Sequence, residues 1–297
     1  MRMPLSLILP VSLAILMGVC TLLLSPGTSA AVSPVPPTAL DIMNRTLPHA
    51  DDYADLSLNY TFLIDVLNEV YERSGRLKKQ LNLLERIYHY YGRRFVRKLT
   101  VNKQPLEGEA LMVEDRRETV FRGQTNAAVA RGEPHDLNDR LDNGIVYLST
   151  LIPRYTYTIA GFDTLHSRAS YKITFVPKPD LDAESRRDKI FNHMTGTVWV
   201  EKESFRILKI TAHLVDNVRF GMIAANVTQT DIVYKQQQVE PDVWMPKMVE
   251  AHISGSVFFF KHFNRRFWVD FHSFEQQTNP APVGFERWSG QVPASEP

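Results

Sequence analysis

Few side chains in this 297-residue sequence are grouped in a way that supports chemistry. His262 and His272 fall in what alternation reads as two successive strands, 258–263 and 267–274, where two imidazoles could meet across a hairpin. A metal there would need a third ligand, and surface histidines are the plainer reading. Glu201 and Glu203 flank a turn, where carboxylates are ordinary, so an acid/base pair is not expected. No G-x-S-x-G, H-E-x-x-H, P-loop or G-x-G-x-x-G pattern occurs. The single cysteine, Cys20, sits inside an apolar run with Val19 before it and Thr21-Leu22-Leu23-Leu24 after it. A lipid-attachment cysteine would follow a small residue and close the run, so lipidation is not expected. The remaining chain then has no disulfide, thiol catalyst or thiolate metal site. The expectation is a protein that is not an enzyme and holds no cofactor or metal.

The ends point to export. Arg2 gives a positive start, Leu5 to Leu24 is almost unbroken apolar sequence, and Ser25-Pro26-Gly27 then Thr28-Ser29-Ala30-Ala31 supply a break and small residues for cleavage. Residues 1–30 are expected to be a signal peptide. The alternative is an uncleaved leader anchoring the protein in the inner membrane, since about 20 apolar residues span a bilayer. Val32 to Pro37 reads as part of an extended linker over 31–38, and 277–297 as a C-terminal tail. Without Arg2, lysines and arginines balance aspartates and glutamates at 33 each, so no domain-wide basic field exists and no nucleic acid is expected. Local basic pairs (Lys78-Lys79, Arg93-Arg94, Arg265-Arg266) read as solvated turn tips.

Between the ends, 39–276 reads as one domain. A short helix over 39–47 stops at Pro48. Strands follow over 60–72, about 81–91 and 95–101, with turns at Ser74-Gly75 and Gly92-Arg93; the second also has the 3–4 spacing of a helix (Leu81, Leu84, Ile87, Tyr91). A helix is predicted over 106–122, a polar loop over 123–139, a second helix over 144–151 and a charged loop over 177–190. The other segments are strands: 155–162, 170–176, 196–201, 205–215, 219–235, 244–257, 258–263 and 267–274. So many adjacent strands predict a meandering antiparallel sheet.

Their faces carry the functional reading. Tyr171, Ile173 and Phe175 alternate with Lys172 and Thr174. Leu208, Ile210, Ala212 and Leu214 alternate with Lys209, Thr211 and His213. Phe267, Val269 and Phe271 alternate with Trp268, Asp270 and His272. Such alternation marks a sheet with one apolar and one wet face. The short helices supply less lid than the apolar face demands, and the surplus is either a ligand cavity or a large core. If a cavity, its lining is Tyr171, Ile173, Phe175, Leu208, Ile210, Phe267, Val269 and Phe271. Parity puts Trp199 on the opposite face with Thr197 and Glu201. Phe258-Phe259-Phe260 loads both faces of its strand and fits contact with a lid helix, with lipid or with the core.

The stretch Met194-Thr195-Gly196-Thr197-Val198-Trp199-Val200-Glu201-Lys202-Glu203-Ser204-Phe205-Arg206-Ile207 resembles the G-T-x-W hairpin of the bacterial outer-membrane lipoprotein-sorting (LolA/LolB-like) superfamily. Arg154-Tyr155-Thr156-Tyr157, Gly161-Phe162, Tyr171 to Pro179 and Val243-Trp244-Met245-Pro246 match its flanking strands, so the resemblance covers roughly 150–275. The chain is longer than the core family, with an inserted polar segment at about 123–140. The resemblance implies a mainly β (α+β) fold: a curved antiparallel sheet forming a half-open β-barrel, with short helices lidding the concave face. It implies a periplasmic carrier or binding protein for a lipid, a lipoprotein acyl chain or another hydrophobic ligand, with an inner- or outer-membrane envelope partner. The same architecture with a filled interior would serve as a non-enzymatic sensory or interaction domain.

Overall fold

Period-2 alternation governs most of the chain. The computed structural model, which describes residues 36–50, 57–132, 148–183, 185–221, 225–258 and 260–277, folds it into one antiparallel sheet. Its strands are β1 (Tyr60–Tyr71), β2 (Leu77–Tyr90), β3 (Arg93–Val101), β4 (Gln104–Pro105), β5 (Tyr155–Leu165), β6 (Arg168–Pro177), β7 (Met194–Glu201), β8 (Ile207–Leu214), β9 (Val218–Phe220), β10 (Ala225–Glu240), β11 (Val243–Val257) and β12 (Lys261–Gln276). They lie in the order β4-β3-β2-β1-β12-β11-β10-β8-β7-β6-β5, with β9 also pairing β10. The two edges, β4 and β5, do not meet, so the barrel is half open. The chain reaches the second edge from the first through α3 (Gly108–Ala130), α4 (Leu148–Leu151) and a 3₁₀ turn (Ile152–Arg154).

Residues 81–91, where strand and helix spacing competed, are strand. Leu83, Glu85 and Ile87 sit opposite Val66, Ile64 and Phe62 of β1, which gives their side chains a buried partner row that an isolated helix would lack. Pro48 does not stop helical structure. After α1 (Ala39–Arg45), α2 (Leu47–Ala50) starts around Pro48, a first-turn position where the missing N–H costs nothing. Thr38 caps α1: its Oγ1 accepts from the Asp41 N–H at 3.1 Å, and Asp41 accepts from the Thr38 N–H at 3.0 Å. The same box, Ser185 with Asp188, starts α5 (Arg186–Phe191) inside the segment expected to be only a charged loop. α3 overruns its expected end by eight residues because Thr125-Asn126-Ala127-Ala128-Val129-Ala130 is a fair helix former once the preceding turns exist. Most of the expected polar loop, the start of the 144–151 helix, the leader, most of the linker and the tail beyond Gln277 lie outside the described residues.

Other expectations are corrected. Residues 258–263 and 267–274 are not two strands: β12 runs unbroken from Lys261 to Gln276, and the residues before it form the turn from β11. His262 and His272 therefore lie ten residues apart on one strand and cannot face each other. His272 Nε2 pairs instead with Asp65 of β1 at 3.0 Å. Arg265-Arg266 is mid-strand, with Arg266 held by Glu250 at 2.9 and 2.6 Å. Lys78-Lys79 and Arg93-Arg94 also lie within strands, at the starts of β2 and β3. The single strand expected over 219–235 is divided into β9 and β10.

Cross-strand register puts each residue on a face. One ladder row runs Ile159, Ile173, Val198, Ile210, Tyr234, Val249, Val269, Val66, Leu83, Val101 over ten strands. The Tyr60 hydroxyl on β1 reaches Glu240 at the end of β10, three strand intervals away and about 14 Å off in a flat sheet. The sheet therefore curls around the face that carries this row. α1 and the 3₁₀ turn cover one end of that face: Ile42, Met43 and Ile152 pack with Ile173, Phe175, Val198 and Val200. At the other end Tyr60, Phe62, Ile64, Val66, Ile87, Met245 and Val269 form a second core. The long α3 lies on the opposite face, where Phe121 packs on Phe95 of β3 and Tyr88 of β2 bonds Glu118 at 2.6 Å.

Candidate functional site on the apolar face

Between the two cores the apolar row continues without a comparable cover among the described residues. Ile210 and Ala212 of β8 pack against the edge of the first core, and beyond them Ile232 and Tyr234 of β10 and Val249, Ala251 and Ile253 of β11 are half-buried, while Phe267 of β12 is 40% exposed. They are neighbours by register: Ala212, Ile232, Ala251 and Phe267 in one row, Ile210, Tyr234, Val249 and Val269 in the next. The result is an apolar trough across β8 to β12.

Two glycines shape its surroundings by being side-chain-free. A Cβ on Gly196 would lie 1.9 Å from the Thr211 carbonyl oxygen and 2.8 Å from the Phe175 ring. One on Gly255 would lie 2.1 Å from the Asn226 carbonyl oxygen and 2.7 Å from Phe263. Each thus lets an aromatic ring lie flat on the sheet.

Polar groups in and beside the trough are few. The Tyr234 hydroxyl accepts from Gln236 Nε2 at 2.9 Å. Thr230 is buried, and its hydroxyl has no hydrogen-bond partner among the described residues. Under α1, burial pushes the Tyr155 hydroxyl up to about 12 while it donates to the Phe191 carbonyl at 2.8 Å; burial raises Tyr157 as well. At the far end Glu85 shares the face with Ile64 and Phe271. Burial raises its carboxyl, and Lys98, opposite it on β3, pulls the other way. Among the described residues no group of three or more metal-ligating side chains occurs.

The eight residues expected to line a cavity divide into four sets. Ile173 and Phe175 are buried under α1, with Tyr171 packed against that core, and Val269 belongs to the second core with Phe271 beside it. Ile210 packs against the first core from β8, and Phe267 lies in the open trough. Leu208 is a correction. A bulge aligns Trp199 with Lys209 but Val200 with Ile207, which turns Leu208 to the opposite face, packed with Trp199 and Trp244. Strand alternation could not show this, because a bulge inverts parity without a sequence mark. Sequence reasoning missed Ile232, Tyr234, Val249, Ala251 and Ile253; the alternation in Ile232-Val233-Tyr234 and Val249-Glu250-Ala251-His252-Ile253 was the available signal.

The opposite face carries the hairpin tryptophan as expected. Trp199 is 9% exposed, and its indole N–H donates to Asp163 at 3.0 Å. Lys209 and Lys172 flank the ring at 4.7 and 5.9 Å, while Arg168 lies over Trp244 at 4.9 Å. The Trp199 bond holds the Asp163 carboxyl below its ordinary value, helped by the Thr164 N–H.

No protein-family model and no curated protein matches the chain. Solved structures similar to it include a domain described as an outer membrane lipoprotein-sorting protein from Vibrio parahaemolyticus, at 9% identity and TM-score 0.34, covering 82% of this chain and 97% of that one. A DUF1329 family protein from Desulfovibrio piger is 11% identical with TM-score 0.32, covering 85% and 98%. A LolA superfamily protein from Nitrosomonas europaea is 11% identical with TM-score 0.28, covering 84% and 97%. The first and third carry the family name that the Gly196-Thr197-Val198-Trp199 hairpin resembles. At these identities and scores nothing of their function is transferred to this chain.

Proposed function

We propose that this protein is an exported, non-enzymatic binding or carrier domain whose apolar trough takes a lipid, a lipoprotein acyl chain or a hydrophobic ligand of similar shape, exchanged with a partner in the cell envelope. The observation that supports this reading is the interrupted cover of the apolar face. Its ends are packed to full burial, but among the described residues the stretch from Ile232 to Phe267 joining them is left only half-covered. A chain that needed only a core would extend one or leave polar residues there. Each methylene buried is worth about 0.8 kcal/mol, so six of them supply about 5 kcal/mol before ordering costs. That magnitude suits a carrier that must also release.

Native mass spectrometry of the purified protein is expected to show a co-purifying lipid. Ile232→Glu is expected to abolish that adduct and leave melting nearly unchanged, because a half-open site can hydrate the new carboxylate. Val269→Glu, in the second core, is expected to unfold the protein. A lipid-free wild type together with an unfolded Ile232→Glu variant would replace the carrier by an interaction domain with a filled interior. Export carries its own check: sequencing of the mature protein should begin at Ala31 or Val32, and a Met1 start in the membrane fraction would make the leader an anchor.

A further inference from the structure

The turn between β11 and β12 breaks the rules that stabilise turns. Phe258 adopts φ +51°, the left-handed region that Gly and Asn occupy readily and bulky residues avoid. Its ring is 53% exposed, and that of Phe260 is 80% exposed. The two rings stack on each other with centroids 6.5 Å apart and, among the described residues, pack on no other ring. A Gly at 258 would relieve the backbone, and a polar residue at 260 would relieve the exposure. Neither phenylalanine belongs to the buried core.

Their surroundings are cationic. Lys261 and His262 follow directly and are exposed. Val257, next to Phe258, pairs with Ala225, and Ala225 pairs with Phe220 of β9. Lys189 of α5 reaches the Phe220 ring at 5.8 Å, and Arg219 beside it is exposed. From Ala251 to Val269, and again from Asn217 to Thr230, the sequence has no Asp or Glu. Asp188 beside Lys189 is paired with Arg154, and Asp216 before β9 with His193. An aromatic tip with lysine and arginine around it, and no acidic residue in the two strand ends that carry it, has the chemistry of a bilayer interface: rings among the headgroups, cations on anionic phosphates.

We propose that the Phe258/Phe260 turn is a membrane-docking tip that inserts into the interface of an anionic bilayer. It also has the right place for loading. Val249, Ala251, Ile253, Gly255 and Val257 share the trough face of β11, and this line ends at Phe258. The docking proposal does not depend on the ligand reading, since vesicle binding is measured without any uptake.

The test is flotation of the full mature chain with phosphatidylethanolamine/phosphatidylglycerol vesicles and with phosphatidylcholine vesicles. The wild type should float with the first, less with the second, and less in high salt. Phe258→Gly/Phe260→Ser should bind at least about tenfold more weakly, with a melting temperature unchanged or raised. Phe260→Ser alone, which leaves the strained position untouched, should weaken binding with no loss of fold, and Lys261→Glu should remove the preference for phosphatidylglycerol. Wild-type protein that floats with neither vesicle, or a double variant that binds like wild type, overturns the proposal. So does a concentration-dependent dimer that the double variant abolishes in the absence of vesicle binding, since the tip would then serve a second copy of the chain.

Discussion

Trp199 and Gly196 sit three residues apart on β7 and face opposite sides of the sheet, so one short motif supports both. The glycine leaves room for the Phe175 ring on the apolar side. The tryptophan fills the other side against Leu208 and Trp244. Trp199→Ala should cost about 3 kcal/mol, read as a lowered denaturant midpoint. Gly196→Val should cost at least as much, because the obstructing atom is the Thr211 backbone carbonyl, which cannot swing aside. A Trp199→Ala variant with an unchanged midpoint would refute the packing role. Both positions were legible, since their types and order form the hairpin signature. Asp163, which accepts the indole N–H hydrogen bond from 36 residues away, was not, because nothing local links it to Trp199. Leu208 was misplaced for a related reason: its side of the sheet depends on how two strands slip past each other.

Strands were read well where alternation continued to a turn residue, as in β1, β6 and β11, and poorly where charged residues interrupted it, as at Arg265-Arg266. Those arginines are tolerated mid-strand because Arg266 finds Glu250 across the ladder and both have water within reach. The role of α3 could not be read at all. Glu114 accepts from the Lys98 N–H at 2.9 Å, and Arg117 donates to the Val96 carbonyl, so two helix side chains satisfy backbone groups along the edge of β3 beyond the short β4. Bare edges invite pairing with other chains. Glu114→Ala/Arg117→Ala should therefore release α3 and promote association, visible as larger species in light scattering. Acid should act similarly. Burial raises the Glu114 carboxyl, but hydrogen bonds from Arg117 and the Lys98 N–H outweigh it and leave the pKa below the ordinary 4.5; Glu118 is likewise lowered, burial being offset by Tyr88, Arg97 and Arg122. A lowered carboxyl stabilises the fold fully above its unfolded value and loses that contribution as pH falls through the folded one. Hydrogen-exchange protection of 108–130 should thus hold from neutrality to about pH 5 and fall below about pH 4, before that of β6 and β7. Equal protection at both pH values would refute the edge role.

For the molecule as a whole, composition pointed to a β-rich core without disulfides, and the resemblance at 150–275 pointed to an open, curled sheet. What neither could convey was which strands lie side by side in the middle. β1 pairs β12, with Asp65 bonded to His272 207 residues further on and Gln277 reaching Thr61. That seam joins β1–β4 to all the other strands. No earlier segment can occupy the place of β12, so a growing chain has two unjoined sheets until Lys261 to Gln276 has been made. Long-range pairings of this kind form slowly, because a large loop must close before any contact rewards it. On the export proposed above, in which the chain is threaded unfolded through a narrow channel, such lateness is useful: the strand that completes the sheet is made, and crosses, after all the strands it joins.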